Sequence, residues 1–308
     1  MWIGNEATEM RDIFPFIGGR IPDRSILSIE GPEAGHFLHN LVTADITGLS
    51  PGEARYTALL TPQGKILFDF FVFRDETDTF LIDCATSQSA ELMKRLMFYK
   101  LRSKVTISLT QYAAGVSLGE PDAILRYVDP RLALIGWRFV LQQHNKSIEY
   151  SRDIPIADWR FITQRDLGAI GYDNARISLG LADSDADLGS GEYFPHEANL
   201  DQLGGVDFAK GCYVGQEVVS RMEHRGTARS RILPIELDGE APAKGTEIRA
   251  GEKLIGTMLS SSGALGLALL RLDRLGEATG PLLTGGVSLR VLKPRWARYD
   301  VPGSQEIA

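Results

Sequence analysis

The chain has 308 residues, of which 44% are hydrophobic and 24% charged, and carries a net charge of -7. Its length exceeds the roughly 250 residues at which a single core stops growing, so more than one domain is expected, and the composition excludes a fibrous or disordered chain. The negative balance opposes general attraction to nucleic acid or to an anionic membrane, and no run reaches the roughly 18 apolar residues of a membrane helix.

Ser25 to Glu30 alternates like a strand, and Gly31-Pro32-Glu33 then opens a helix to about Leu41. His36 and His39 lie three apart on that helix without a further ligand at metal spacing, so they read as solvent-exposed. Segments 55–60 and 65–73 form a hairpin around Thr61-Pro62-Gln63-Gly64, and Phe80 to Cys84 adds a strand that packs Cys84 inside. Ser87 or Ser89 caps a helix to about Leu101, and strands follow at 104–109, 112–118, 124–128 and 135–141. Hairpins mixed with occasional helices point to an α+β body rather than a parallel nucleotide-binding sheet. After Arg225-Gly226 the chain turns to short apolar strands between glycine and proline turns, at 232–237, 246–249, 254–259, 265–272 and 287–292, which predicts a small β-barrel. The boundary near 227 divides a body, 1–226, made of two intertwined α+β subdomains, from a barrel domain, 227–308.

Several motifs fail. Asp183-Ser184-Asp185-Ala186-Asp187 opens like a calcium loop, but Leu188 replaces its glycine and Phe194 its glutamate, so it reads as a solvated acidic loop. His196-Glu197 lacks the second histidine of a zinc protease, and neither a P-loop nor a dinucleotide fingerprint is present. Two cysteines, Cys84 and Cys212, cannot build a disulfide framework or a closed four-cysteine metal site. With a start at Met1–Glu6 that reaches acids before any apolar core, this points to a reducing, cytoplasmic or matrix-like compartment, cytoplasmic being the first choice.

One stretch carries chemistry. Lys210-Gly211-Cys212-Tyr213-Val214-Gly215-Gln216-Glu217, running on to Arg221, sets a thiol between two glycines that permit steep turns or close approach. A helix begins near the cysteine, with Glu217 and Arg221 paired four residues apart. Its N-terminal dipole and Lys210 would favour the Cys212 thiolate. Arg221, Arg225, Arg229 and Arg231, with His224, make a dense basic patch, either a site for carboxylates or a solvated face. A cysteine hydrolase using His196 or His224 as base also stays open on residue types alone.

Together with Pro195-His196-Glu197-Ala198-Asn199-Leu200-Asp201, this stretch resembles the signature of YgfZ-type folate-binding proteins and their mitochondrial iron-sulfur assembly relatives, a group related to the glycine-cleavage T-proteins. The likeness extends more loosely over Gly31–Ala34, Leu41–Asp45, Gly64-Lys65 and Arg102–Val105. It implies an α+β, aminomethyltransferase-like multidomain fold, with a mixed body around a central folate cavity and a C-terminal β-barrel. It further implies a cytoplasmic protein that binds tetrahydrofolate or a one-carbon derivative and supports assembly or repair of iron-sulfur clusters in client enzymes, including tRNA-modifying ones. Its partners would be folate and iron-sulfur client or assembly proteins, without direct nucleic-acid or membrane contact. Glu197 matches the glutamate that reads the pterin; Lys210, Tyr213, Gln216 and Arg221 are further candidate folate contacts, with Gly211, Gly215 and Glu217 as supports. No stable intrinsic metal is implied, Cys212 being a reactive thiol or one ligand of a transient cluster. T-proteins carry adjacent aspartates after the hairpin glycine, the first catalytic; here Phe68-Asp69 stands there, so the catalytic acid is replaced and Asp69 reads as a solvent-facing strand residue. This argues against turnover, while an aminomethyl or one-carbon transferase and an interaction protein with a vestigial cavity remain the rivals.

Overall fold

A computed structural model describes residues 18–75, 77, 79–123, 125–142, 165–226 and 228–307, which leaves Met1–Glu6 and residue 227 outside the description. The chain divides into two compact units. One takes in the described residues up to Leu59, Phe68–Tyr172 and Ala209–Tyr213; the other takes Leu60–Leu67, Asp173–Phe208 and Val214 onward.

In the first unit, strand β1 (Gly18–Arg20) leads to β2 (Arg24–Glu30), helix α1 (Ala34–His39), β3 (Ala54–Leu60), β4 (Ile66–Arg74) and β5 (Phe80–Ala85). Helix α2 (Thr86–Lys100), β6 (Thr106–Leu109), β7 (Tyr112–Ser117), β8 (Leu125–Val128) and β9 (Trp137–Gln142) follow. Two sheets result, ordered β3-β4-β5-β2-β6 and β1-β7-β9-β8. β-Branched and aromatic residues drive both, and Phe68 through Phe73 are buried without interruption, so β4 has no wet face. Asp69 is therefore not the solvent-facing residue the sequence suggested: it is 5% exposed and accepts a hydrogen bond from the Tyr56 hydroxyl at 3.0 Å. Helix α2 buries Ser89, Leu92 and Leu96. It starts at Thr86 without a serine cap, because the Thr86 N–H is already taken by the Asp23 carbonyl, while Ser89 donates back to the Thr86 carbonyl. Cys84 packs inside β5, as expected.

Charge is also buried here. Asp83 on β5 accepts from Arg24 and from Arg138, each at 2.6 Å, and Arg131 grips Asp129 through two nitrogens at 3.0 and 2.8 Å. The Arg138 guanidinium lies 4.1 Å from the Phe71 ring centre, and Arg131 and Arg138 both donate to the Tyr172 hydroxyl. Burial pushes the Asp83 carboxyl up, but Arg138 and Arg24 outweigh it and hold the group below its ordinary range.

Helix α3 (Arg165–Ser178), which the division of the chain crosses after Tyr172, is followed in the second unit by a π-helical turn at Ser184–Leu188, and α4 (Gln216–Arg225) precedes the barrel strands β10 (Ser230–Leu237), β11 (Glu247–Ala250), β12 (Lys253–Ser262) and β13 (Leu265–Arg271). A short helix, α5 (Leu272–Gly276), and β14 (Leu282–Thr284), β15 (Val287–Pro294) and β16 (Gln305–Ile307) complete it. The order β10-β13-β12-β11-β14-β15 closes through a β10–β15 pairing, with β16 added in parallel on β15. Closure removes the exposed strand edges, and Leu233, Ile235, Ile255, Met258, Leu270 and Val291 fill the interior. The acidic stretch 183–187 is not a solvated loop. Asp187 is 1% exposed and pairs with Arg176 at 2.9 Å, and the Asp183 carboxylate accepts the N–H groups of Asp185 and Ala186, so the acids serve local structure. Among the described residues no helix is long and apolar enough to cross a membrane.

Replacing Arg138 by Met strands Asp83 in the interior with half its ion pairing. The expected cost is about 3–5 kcal/mol, read as a lowered urea midpoint; an unchanged midpoint would show that Arg24 alone suffices.

Candidate functional site

Segment 210–213 is pinned at both ends. A lysine ammonium has three donors, and Lys210 Nζ gives them to the carbonyl oxygens of His39, Val42 and Ala44 at 2.5, 2.5 and 3.0 Å. These oxygens lie at and just beyond the end of α1, where a cation also meets the negative end of the helix dipole. Tyr213 is buried, its ring centre 5.2 Å from the same ammonium. Between the two anchors Gly211 and Cys212 are exposed. Lys210 is thus a structural cation rather than a partner aimed at the thiol, as the sequence had suggested. The same contact ties the motif to Leu41–Asp45, whose Thr43 hydroxyl bonds Thr57 inside the sheet. His39 is half-buried and pairs with Asp45 at 2.9 Å, so of the two histidines only His36 meets the expectation of exposure. Burial raises the Asp45 carboxyl, but Thr47, Gly48 and His39 outweigh it and leave the group below its usual value.

The second unit holds the other candidates. Helix α4 starts at Gln216, after Gly215, so Cys212 precedes the helix rather than sitting in its first turn. Gly215 has φ +81°, and a Cβ there would lie 2.6 Å from the Thr61 carbonyl oxygen and 2.9 Å from Gly64 Cα. A Cβ on Gly64, at φ +79°, would meet Val218 at 2.8 Å. The hairpin turn and the start of α4 therefore pack backbone against backbone. Gln216 is half-buried, while Glu217 and Arg221 form the expected pair at 2.6 Å on an open face, where it adds little stability.

Glu197 lies in this unit as well. Its Oε2 accepts the Phe194 N–H at 2.9 Å, and its carbonyl accepts the Ile232 N–H of β10. Burial raises the Glu197 carboxyl above its ordinary value, against the pull of the Phe194 N–H, Lys65, Arg231 and Arg271. Lys65 Nζ stands 5.7 Å from the Phe194 ring centre. A half-buried carboxyl whose titration burial perturbs is a candidate for contact with a polar ligand edge.

Arg231 does not belong to a surface basic patch. It is 6% exposed, clamps Asp201 at 2.6 and 3.0 Å, donates to the His196 carbonyl and stacks 4.3 Å from the Tyr299 ring centre. Arg221, His224, Arg225 and Arg229 are exposed. His196, Asp201 and Glu223 bring one ligand atom each within 4.8 Å of one another. Asp201, however, is neutralised by the Arg231 guanidinium, which repels a cation, and His196 Nε2 is 3.1 Å from Glu223. The trio reads as one ion pair, Asp201 with Arg231, and one histidine–carboxylate contact, His196 with Glu223, a grouping that sequence spacing across residues 196–231 could not show.

Comparison with known proteins fits this architecture. Residues 25–123 match the GCVT N-terminal domain and residues 229–299 the CAF17 C-terminal beta-barrel domain. A mitochondrial iron-sulfur cluster assembly factor IBA57 homolog of Pyricularia oryzae is 30% identical, over 85% of this chain and 73% of its own. The chain belongs to the IBA57 family. The mouse member, iron-sulfur cluster assembly factor IBA57, mitochondrial, is 29% identical over 85% of this chain and 79% of its own. The crystal structure of the glycine cleavage system aminomethyltransferase T from Bartonella henselae superposes with a TM-score of 0.68 at 15% identity, over 98% of this chain and 91% of that one. The fold is thus aminomethyltransferase-like, a mixed α/β body with a C-terminal six-stranded barrel, as the sequence implied. The cytoplasmic location is corrected: these IBA57 relatives are mitochondrial by name.

Two glycines of one motif should behave oppositely. Gly215→Ala forces the hairpin and α4 apart and is expected to lower the thermal midpoint by several degrees, about 2 kcal/mol or more, whereas Gly211→Ala meets nothing within 4 Å and should be nearly silent. Equal effects in thermal melts would refute the close approach. For Glu197 the raised pKa means that the folded state keeps a proton the unfolded chain loses, so this group's contribution falls as pH rises from the ordinary 4.5 through the folded value. Glu197→Gln should remove that slope from the stability profile above the ordinary carboxyl range; an unaltered profile would contradict the burial of the carboxyl.

Proposed function

We propose that the protein binds tetrahydrofolate, or a one-carbon derivative of it, and uses Cys212 to support assembly or repair of iron-sulfur clusters in client proteins, tRNA-modifying enzymes among them. The observation that carries the reading is the exposed thiol held between the anchored Lys210 and the buried Tyr213. The cluster role rests on the names of the IBA57 relatives, and the mitochondrial setting in those names is the compartment we take for it. A cluster normally takes four ligands, so Cys212 would supply one thiolate and the client, a second chain or small thiols the rest, with the cluster as cargo.

The residues present fit a folate. Glu197 keeps acceptor capacity beyond the Phe194 N–H, and a carboxylate can take two hydrogen bonds from an aminopyrimidine edge. Gln216, half-buried at the head of α4, and exposed Arg221 are further contacts in this reading, Arg221 and Arg225 meeting carboxylates of the folate tail. Bound folate would supply a one-carbon carrier; the chain itself would orient it and offer the thiol. Transfer of the T-protein kind has less support: Phe68 stands at the position of the acid and is buried, and Asp69 is engaged by Tyr56. We take the body as residues 1–226 and the barrel as 227–308, the body carrying both the folate and the thiol role.

Calorimetry with tetrahydrofolate should show binding to the wild type and a loss of about ten- to hundredfold in Glu197→Gln. Cys212→Ser should retain the binding heat yet fail to restore a cluster-dependent enzyme in cells lacking the protein. No heat with the wild type removes the folate role; full rescue by Cys212→Ser removes the thiol role.

A further inference from the structure

Helix α2 has a second apolar face. While Ser89, Leu92 and Leu96 are buried, Met97, Phe98 and Leu101 stand 52%, 70% and 88% exposed. Together with Lys94 they follow the spacing of one helical stripe. Exposed apolar residues scattered singly need no explanation, but three adjacent large ones at a helix end do.

Leu101 is costly in a second way. Ser103 N–H donates to the Lys100 carbonyl at 2.8 Å, which makes 100–103 a tight turn with Leu101 in its second position, at φ 43° and ψ -104°. That geometry belongs to the type II′ turn, in which the second position favours glycine. Among the described residues only Leu101 and Asn199 combine a side chain with positive φ. The isolated chain thus exposes a large apolar side chain on a strained backbone where glycine would be cheaper, the kind of conflict that collects at functional surfaces.

The surroundings state the charge of the occupant. Lys94, Arg95, Lys100, Arg102 and Lys104 surround the stripe with no acid between 94 and 104, in a chain whose net charge is -7. Glu91 lies 3.6 Å from Lys94, Glu33 accepts the Lys104 N–H and Glu30 lines the depression beside Lys100 and Lys104, so these three acids against five basic residues still leave the excess positive. The relief is shallow: one open depression of about 670 Å³ is lined by Glu33, Leu101, Arg102 and Ser103, and another of about 460 Å³ by residues including Glu30, Lys100, Ser103 and Lys104. A chain whose net charge is -7 is repelled as a whole by an anionic bilayer, so a local positive stripe suits a discrete acidic protein segment. Aromatic residues, Met and Arg are also the types enriched at protein interfaces.

The geometry points to a docking surface at the C-terminal end of α2 for an acidic protein segment that carries apolar side chains. Phe98 and Leu101 are its apolar anchors, and the five basic residues orient the partner and exclude basic ones. The inference uses none of the residues assigned to folate or to Cys212, so it stands or falls apart from that reading.

The probe is a helical peptide with glutamates on one side and leucine and phenylalanine on the other, measured by fluorescence anisotropy against the full chain. Binding should weaken with salt, and should fall at least about tenfold when the peptide's apolar residues become alanine or its glutamates become lysine. Phe98→Ser and Leu101→Gly should each lose about tenfold, and both should keep the wild-type heat of tetrahydrofolate binding. Leu101→Gly should also keep or raise the thermal midpoint, which separates docking from a structural role. No binding of the peptide, equal binding by the variants, or a midpoint lowered by Leu101→Gly would overturn the proposal. So would preferential uptake by phosphatidylcholine–cardiolipin vesicles that Phe98→Ser abolishes, which indicates a lipid surface, or a wild-type dimer that Phe98→Ser dissociates, which indicates a second copy.

Discussion

The three hydrogen bonds from the Lys210 ammonium determine how the motif presents its sulfur. Carbonyl groups left over where a helix ends must find donors, and one flexible cation with three N–H bonds serves the oxygens of His39, Val42 and Ala44 together. With Lys210 held there and the Tyr213 ring buried three residues later, Gly211 and Cys212 have little room except outward. A thiol on a free loop would be exposed but poorly placed, and one packed like Cys84 would be inert. Anchors on both sides give exposure together with position, which is what a transient ligand or nucleophile needs.

Charge placement follows a related logic. Several charges are internal: Arg231, grouped from the sequence with a basic patch, clamps Asp201, Arg176 clamps Asp187, and Arg24 and Arg138 share Asp83. Buried pairs of this kind tolerate no missing partner, so they specify the local arrangement more than they stabilise it. They also change the meaning of what stays outside. Once Arg231 is removed from the apparent patch around α4, the densest run of exposed basic residues is the one at the end of α2, beside apolar side chains.

The sequence made most strands and their order legible, because hairpins and barrel strands announce themselves through short apolar runs between turn residues. It missed α3, where Gly168 and Gly171 weaken the helical signal, β14, a three-residue strand in a tight hairpin with β15, and the short strands β1 and β16, whose partners lie beyond a tight hairpin. Side-chain fates were harder still. Asp69 looked exposed because strands usually have a wet face, and β4 has none; Asp183–Asp187 looked solvated because composition does not reveal that Arg176 is waiting for Asp187. Of the candidate site, the importance of 210–217 was visible, yet Lys210 was read by its charge alone. Only coordinates show that its acceptors lie about 170 positions earlier, within the other motif, Leu41–Asp45. The one available signal was the presence of two unexplained motifs, which could have suggested that they meet.

The fold frames what such a protein can be. It is shared with an aminomethyltransferase at only 15% identity, so the architecture by itself carries no chemistry. What differs is local. Phe68 is buried on β4, the neighbouring Asp69 is tied to Tyr56, and a cysteine stands exposed between two anchors. Phe68 rests where an ionised group would be penalised by desolvation. Placing the thiol in an anchored, solvent-facing turn costs little, because no buried polar group has to be satisfied there. An exposed sulfur held in position is a soft ligand, whereas the buried Asp69 carboxylate is already engaged, and the cluster role proposed above rests on that contrast.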